Sequence, residues 1–130
     1  MTAVTKDLFI EQGATFALGF NWFRESTIVT GEPGAAYDLT GAIARMQVRT
    51  SQQSSIITEA STVNGKIICG GPSGRVDIKL TAADTDLISV KGALYDLEVE
   101  MVGGDVYRLL QGKVVMSPNI TQKPTDAVET

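Results

Sequence analysis

The sequence predicts an all-β domain, an immunoglobulin-like antiparallel sandwich of about seven to nine strands with one short helical turn. Three observations carry this expectation. Apolar and polar residues alternate with a period of two along most of the chain, and no stretch keeps helical spacing for more than about two turns. Turn residues recur about every ten positions, the spacing of a sandwich or small barrel. The 130 residues fit one domain, and 43% apolar with 20% charged residues suits a chain that buries a core.

In the first unit Leu8 and Ile10 alternate with Phe9 and Glu11 until Gln12-Gly13-Ala14 breaks the run. Phe16, Leu18, Phe20 and Trp22 then share one parity and are expected to point into the core, with Trp22 near its edge because the indole N–H wants an acceptor. From Arg24 to Tyr37 the chain holds Gly31, Pro33 and Gly34, too long for a tight hairpin and therefore a crossing between sheets. Ala42, Ala44, Met46 and Val48 face inward against Ile43, Arg45, Gln47 and Arg49. The runs Ile56 to Val63 and Lys66 to Cys69 flank Asn64-Gly65, which predicts a hairpin closed by a type I′ turn.

After the loop Gly70-Gly71-Pro72-Ser73-Gly74, the alternation of Val76, Ile78 and Leu80 with Arg75, Asp77 and Lys79 predicts a half-buried strand. Thr81-Ala82-Ala83-Asp84 has the spacing of a helix N-cap with an acidic residue in the first turn, so Ala82 to Leu87 is expected to form one turn bridging the sheets. Tyr95, Leu97, Val99 and Met101 face inward, and Gly103-Gly104 turns the chain into a last strand from Asp105 to Met116. Residues 1–116 are thus read as the sandwich and 117–130 as an extended polar C-terminal tail.

Composition narrows the function. The chain contains no histidine, which removes the usual proton shuttle and the commonest zinc ligand, so His-dependent triads and metal sites are excluded. A net charge of −4 with dispersed signs gives no basic footprint for nucleic acid. No apolar run approaches the roughly 20 residues of a membrane-spanning helix, and the N-terminal residues show no secretory signal pattern, so synthesis in the cytoplasm and no membrane partner are expected. The single cysteine, Cys69, has no disulfide partner within the chain and reads as a small buried hydrophobe.

The residues that could carry chemistry have plainer structural readings. Glu98 and Glu100 share a strand face, but it is the polar one, and Asp84 and Asp86 suit a helix N-terminus. Gly70, Gly71 and Gly74 lack the Lys-Ser/Thr and the helix of a phosphate cradle, and Asn119-Ile120-Thr121 matches a glycosylation site only as a short pattern. No catalytic residue, cofactor or metal is therefore expected. Partner contacts are expected instead at Tyr107, Leu109 and Val115, which alternate with Leu110, Val114 and Met116 and make both faces of the last strand apolar. Ile28 and Val29 in the long loop and Thr121 and Thr125 in the tail join that set. With Pro118, Pro124 and little apolar content, the tail gains nothing from its own sandwich, so its contacts are expected with other chains.

Dispersed segments between residues 7 and 121 carry a resemblance. Phe9 to Phe16 with Trp22, Tyr37 to Gly41 running into Ala44 to Arg49, Leu80 to Thr85, Tyr95 to Val99, and Arg108 to Gly112 through Ser117-Pro118 resemble small immunoglobulin-like virion proteins of tailed bacteriophages. They are also similar to the N-terminal domain of phage baseplate upper proteins. The resemblance implies a non-enzymatic virion protein, present in several copies, whose partners are other virion proteins and copies of itself, at the neck or collar, the baseplate, a fibre attachment or the capsid surface. A different class, a host-surface module binding carbohydrate, would need an exposed aromatic ring, for which Phe9, Tyr37 and Tyr107 are the candidates.

Overall fold

In a computed structural model that describes residues 3–23, 35–118 and 120, the alternation resolves into two facing sheets. The strands are β1 (Val4–Thr5), β2 (Leu8–Glu11), β3 (Phe16–Asn21), β4 (Ile43–Arg49), β5 (Thr58–Ser61), β6 (Ile67–Cys69), β7 (Arg75–Leu80), β8 (Gly92–Glu100) and β9 (Val106–Ser117). A short helix α1 (Ala82–Asp86) follows β7. One sheet has the order β1-β9-β8-β4-β5, with β2 also on β9, and the other is β3-β7-β6. The first strand running parallel to the last, and the connections from β3 to β4, β5 to β6 and β7 to β8 switching sheets, give the immunoglobulin-like arrangement.

The core is what period two predicts. Ala44, Met46 and Val48 of β4, Val76, Ile78 and Leu80 of β7, and Tyr95, Leu97 and Val99 of β8 are all buried, and their intervening neighbours face outward or lie half-buried. Phe16, Leu18 and Phe20 share the inward parity but are only half-buried, because β3 lies at the rim of the smaller sheet. Trp22 is buried at 6% exposure rather than lying at the edge, and its Nε1 has no hydrogen-bond partner among the described residues.

The helical turn forms as the spacing predicts. Thr81 Oγ1 accepts from Asp84 N–H at 3.2 Å while Asp84 Oδ2 accepts from Thr81 N–H at 2.9 Å, a complete capping box.

The hairpin expected at Asn64-Gly65 does not form. β5 pairs with β4 and β6 with β7, so the two runs belong to different sheets. No described residue other than glycine has a positive φ, which excludes the type I′ turn at Asn64. The Asn64 side chain redirects the chain instead. Its Oδ1 accepts from the N–H groups of Ser61 (2.9 Å) and Lys66 (3.0 Å), and its Nδ2 donates to Glu59 C=O at 2.9 Å. Those bonds satisfy backbone groups that a hairpin ladder would have paired.

The last strand also corrects the sequence reading. Leu97 faces Leu110 but Glu98 faces Arg108, so Leu109 is an extra residue in a β-bulge. The bulge shifts the parity by one, and Leu109, Leu110, Val114 and Met116 all turn to the core side. The apparent two-sided apolarity is thus mostly a change of phase. Nor is β9 an edge, because β8 flanks it on one side and β1 with β2 on the other.

β1 and β2 meet β9 in one register, Val4 opposite Leu110 and Leu8 opposite Val114, and act as one strand interrupted at Lys6-Asp7. Lys6 N–H donates to Gln111 C=O (2.9 Å), Lys113 N–H to Asp7 Oδ1 (3.0 Å), and the Tyr95 hydroxyl to Lys6 C=O (2.5 Å). Burial, helped by the charge of Asp7, pushes the Tyr95 phenol up to about 12, so it stays protonated and donating. Tyr95 lies opposite Gly112, where a Cβ would run into the Lys6 carbonyl and approach Asp7 Oδ1 at 3.0 Å. Gly112→Ala is therefore expected to lower stability by roughly 1–3 kcal/mol in urea unfolding, by wedging the first strand off β9. Lys113→Ala, an exposed side chain beside it, should stay within about 0.5 kcal/mol.

Candidate interaction surfaces

The outer face of the larger sheet is polar because every second residue of its strands points away from the core. Register places Thr5, Gln111, Asp96, Gln47 and Glu59 in one row across five strands. On one side lie Lys113, Leu94 and Arg49, and on the other Arg108, Glu98 and Arg45. Gln47 donates to Glu59 at 2.6 Å, Arg49 to Gln47 at 2.7 Å, and Arg108 lies 3.4 Å from Asp96. All of these residues except Glu59 line an open groove of about 630 Å³. Such exposed pairs contribute little stability, roughly 0–1 kcal/mol each. What they offer is a row of alternating donors and acceptors for a polar partner surface. Glu98 and Glu100 each face an arginine, Arg108 and Arg45, at 3.9 Å.

One end of this face is apolar. Phe9 is 73% exposed beside its register partner Val115 at 40%, Gly92 across from Val115 adds no side chain, and Leu94 is 41% exposed on the same strand. Where Gln12 N–H donates to Ser117 C=O at 2.9 Å, β9 ends beside this corner. The C-terminal segment therefore starts next to the most apolar part of the outer face.

Of the partner-contact residues expected from sequence, Val115 lies in that corner. Leu109 does not, since the bulge buries it at 3% exposure. Tyr107 is half-buried and packs edge-on against Trp22 with ring centroids 5.6 Å apart, while Tyr37 stacks on Trp22 at 3.7 Å. Ile28, Val29, Thr121 and Thr125 lie outside the described residues. Among the aromatic rings considered for sugar stacking, Tyr37 and Tyr107 thus belong to one packed cluster, and Phe9 stands near the opposite end of β9, roughly 25 Å away along the strand. Leu94 was missed, although its parity opposite Tyr95, Leu97 and Val99 marks it as outward.

Two ionisable groups are set by structure rather than chemistry. Burial would raise the Asp84 carboxyl, but hydrogen bonds from Lys66 and Thr81 and the Lys66 charge, 2.6 Å away, together hold it below the usual carboxylate value. Burial pushes the half-buried Cys69 thiol up, away from thiolate reactivity. Among the described residues no three His, Cys, Asp or Glu side chains gather as a metal site.

A family model described as the LtfC-like, beta-sandwich domain matches residues 2–117. The chain belongs to the LtfC-like β-sandwich domain family. The match spans every strand and stops at the last residue of β9. LtfC is a phage tail-fibre and baseplate-related protein, and the match supports a phage structural β-sandwich domain. A search of curated proteins gives no match. In this LtfC-like domain the outer face of the larger sheet carries a polar groove and an apolar corner, beside which β9 ends.

Proposed function

We propose that this LtfC-like domain is a non-catalytic structural adaptor of a tailed-phage particle, present in several copies and joining larger virion components. The observation that carries the reading is the outer face of the larger sheet, where Phe9 and Val115 form an exposed apolar corner with Leu94, which also lines the polar groove. An exposed apolar patch bordered by mixed charges suits a protein contact. The family match supports the tail-associated setting. The tail beyond Ser117, poor in apolar residues, supplies a second contact with neighbouring subunits.

The test is incorporation. Mass spectrometry of purified particles should detect the protein, and a variant lacking Gln122 to Thr130 should fold and melt like the full chain yet be missing from particles. A particle that contains no copy of the protein overturns the adaptor reading. Normal incorporation of the truncated variant removes the tail from it.

A further inference from the structure

Strand β3 has one paired side and one open side: its six residues pair with β7, and among the described residues no strand lies on the other edge. The other sheet edges are short or carry charge. β6 has three residues, β5 has four with Glu59 among them, and the β1–β2 edge is interrupted at Lys6-Asp7. In contrast, Phe16-Ala17-Leu18-Gly19-Phe20-Asn21 contains no charge and no proline, the devices that normally keep an edge from pairing.

The direction of the backbone groups follows from the ladder. Trp22 N–H donates to Gly74 C=O at 2.8 Å, one step beyond the Asn21–Arg75 pair, so even-numbered residues of β3 turn their N–H and C=O groups toward β7. The far side of β7 agrees, since Lys79 N–H and Arg75 C=O bond toward β6. Ala17 and Gly19 therefore present their backbone groups to the open edge.

We propose that this edge pairs antiparallel with the same edge of a second copy, in the register that sets Leu18 against Leu18 on the two-fold axis. That register meets one backbone condition and one side-chain condition. Ala17 then faces Gly19 of the second copy, and both are residues whose backbone groups point outward, so they form the hydrogen-bonded pair. Leu18 falls in the non-hydrogen-bonded pair, as its backbone requires. Phe16 faces Phe20 on the inner side, so all three half-buried apolar residues gain cover, while on the outer side Ala17 meets Gly19, over which the ion-paired Arg75 and Asp77 of the same copy lie. A strand without charge meets no repulsion from itself. The two smaller sheets would become one of six strands across the axis. This pairing does not depend on where in a particle the domain sits.

Sedimentation of the full chain over a concentration series should show a monomer–dimer equilibrium. Ala17→Pro removes an edge-facing N–H from each copy, a change that an edge strand tolerates, and should weaken the dimer about tenfold or more while the melting transition is kept. Unchanged dimerisation in Ala17→Pro, or a monomer at every concentration, overturns the proposal. A second arm reads the register directly. In a Cys69→Ser background, Leu18→Cys should form an intermolecular disulfide under mild oxidation, because non-hydrogen-bonded pairs bring Cα atoms to about 4.5 Å. Ala17→Cys, diagonal to its own copy, should not. Cross-linking of Ala17→Cys in preference to Leu18→Cys would assign a different contact.

Discussion

Gly74→Ala is expected to destabilise the domain by roughly 2–4 kcal/mol, lowering its melting temperature by roughly 8–16 °C. Gly74 caps the turn Gly71–Ser73 with φ of 70°, a left-handed conformation that disfavours any side chain by about 1 kcal/mol. The larger part comes from space. A Cβ there would strike the Trp22 carbonyl and sit 3.2 Å from that of Tyr37. Both are backbone atoms held in place: Trp22 N–H donates to Gly74 C=O at 2.8 Å, and Tyr37 N–H donates to Trp22 C=O at 3.0 Å. Moving them disturbs the Trp22–Tyr37 stack as well. The control is Gly65→Ala, where φ is 79° but nothing lies within 4 Å of the added atom, so only the conformational penalty of about 1 kcal/mol should appear. Thermal unfolding followed by fluorescence of the single tryptophan separates the two. Equal losses in both variants would show that the backbone contact around Gly74 carries no stability.

Period two was enough to find β4, β7 and β8, because each buries one face under the opposite sheet and alternation survives without interruption. It failed where a backbone irregularity changes the phase. At Leu109 a single extra residue makes apolar positions appear on both sides of β9, and nothing in the local composition distinguishes a bulge from a two-sided strand. Asn64-Gly65 failed for a different reason: the dipeptide suits several turns, and the choice was made by Asn64 side-chain bonds to Ser61, Lys66 and Glu59 that depend on tertiary placement. The apolar corner was half legible. Phe9 and Leu94 are outward by parity, but their adjacency to Val115 depends on the parallel pairing of β2 with β9, a long-range register that local patterning does not encode. The open edge of β3 was hidden by the same limit, since an uncharged strand reads alike whether it is central or terminal.

Asp84→Ala is expected to lower stability by roughly 2–4 kcal/mol, through loss of the cap and of a well-placed ion-pair partner. Two anchors end on this carboxylate: Thr81 N–H at the start of α1 and the Lys66 ammonium from the turn between the sheets. Removing it leaves a half-buried lysine without its counter-charge and frees the helix that carries the chain from β7 to β8. Asp84→Asn keeps the shape and one acceptor, so its loss should be smaller, about 1–2 kcal/mol. The pH dependence distinguishes charge from shape. Because the folded carboxyl is held below its ordinary value, its contribution is fully present above about pH 4 and is lost as pH falls through the lower folded value. Urea midpoints of the wild type and Asp84→Asn should differ by a constant amount from neutrality down to about pH 4 and converge below it. A gap that persists undiminished at acid pH would mean that the carboxylate charge is not what ties α1 to the sandwich.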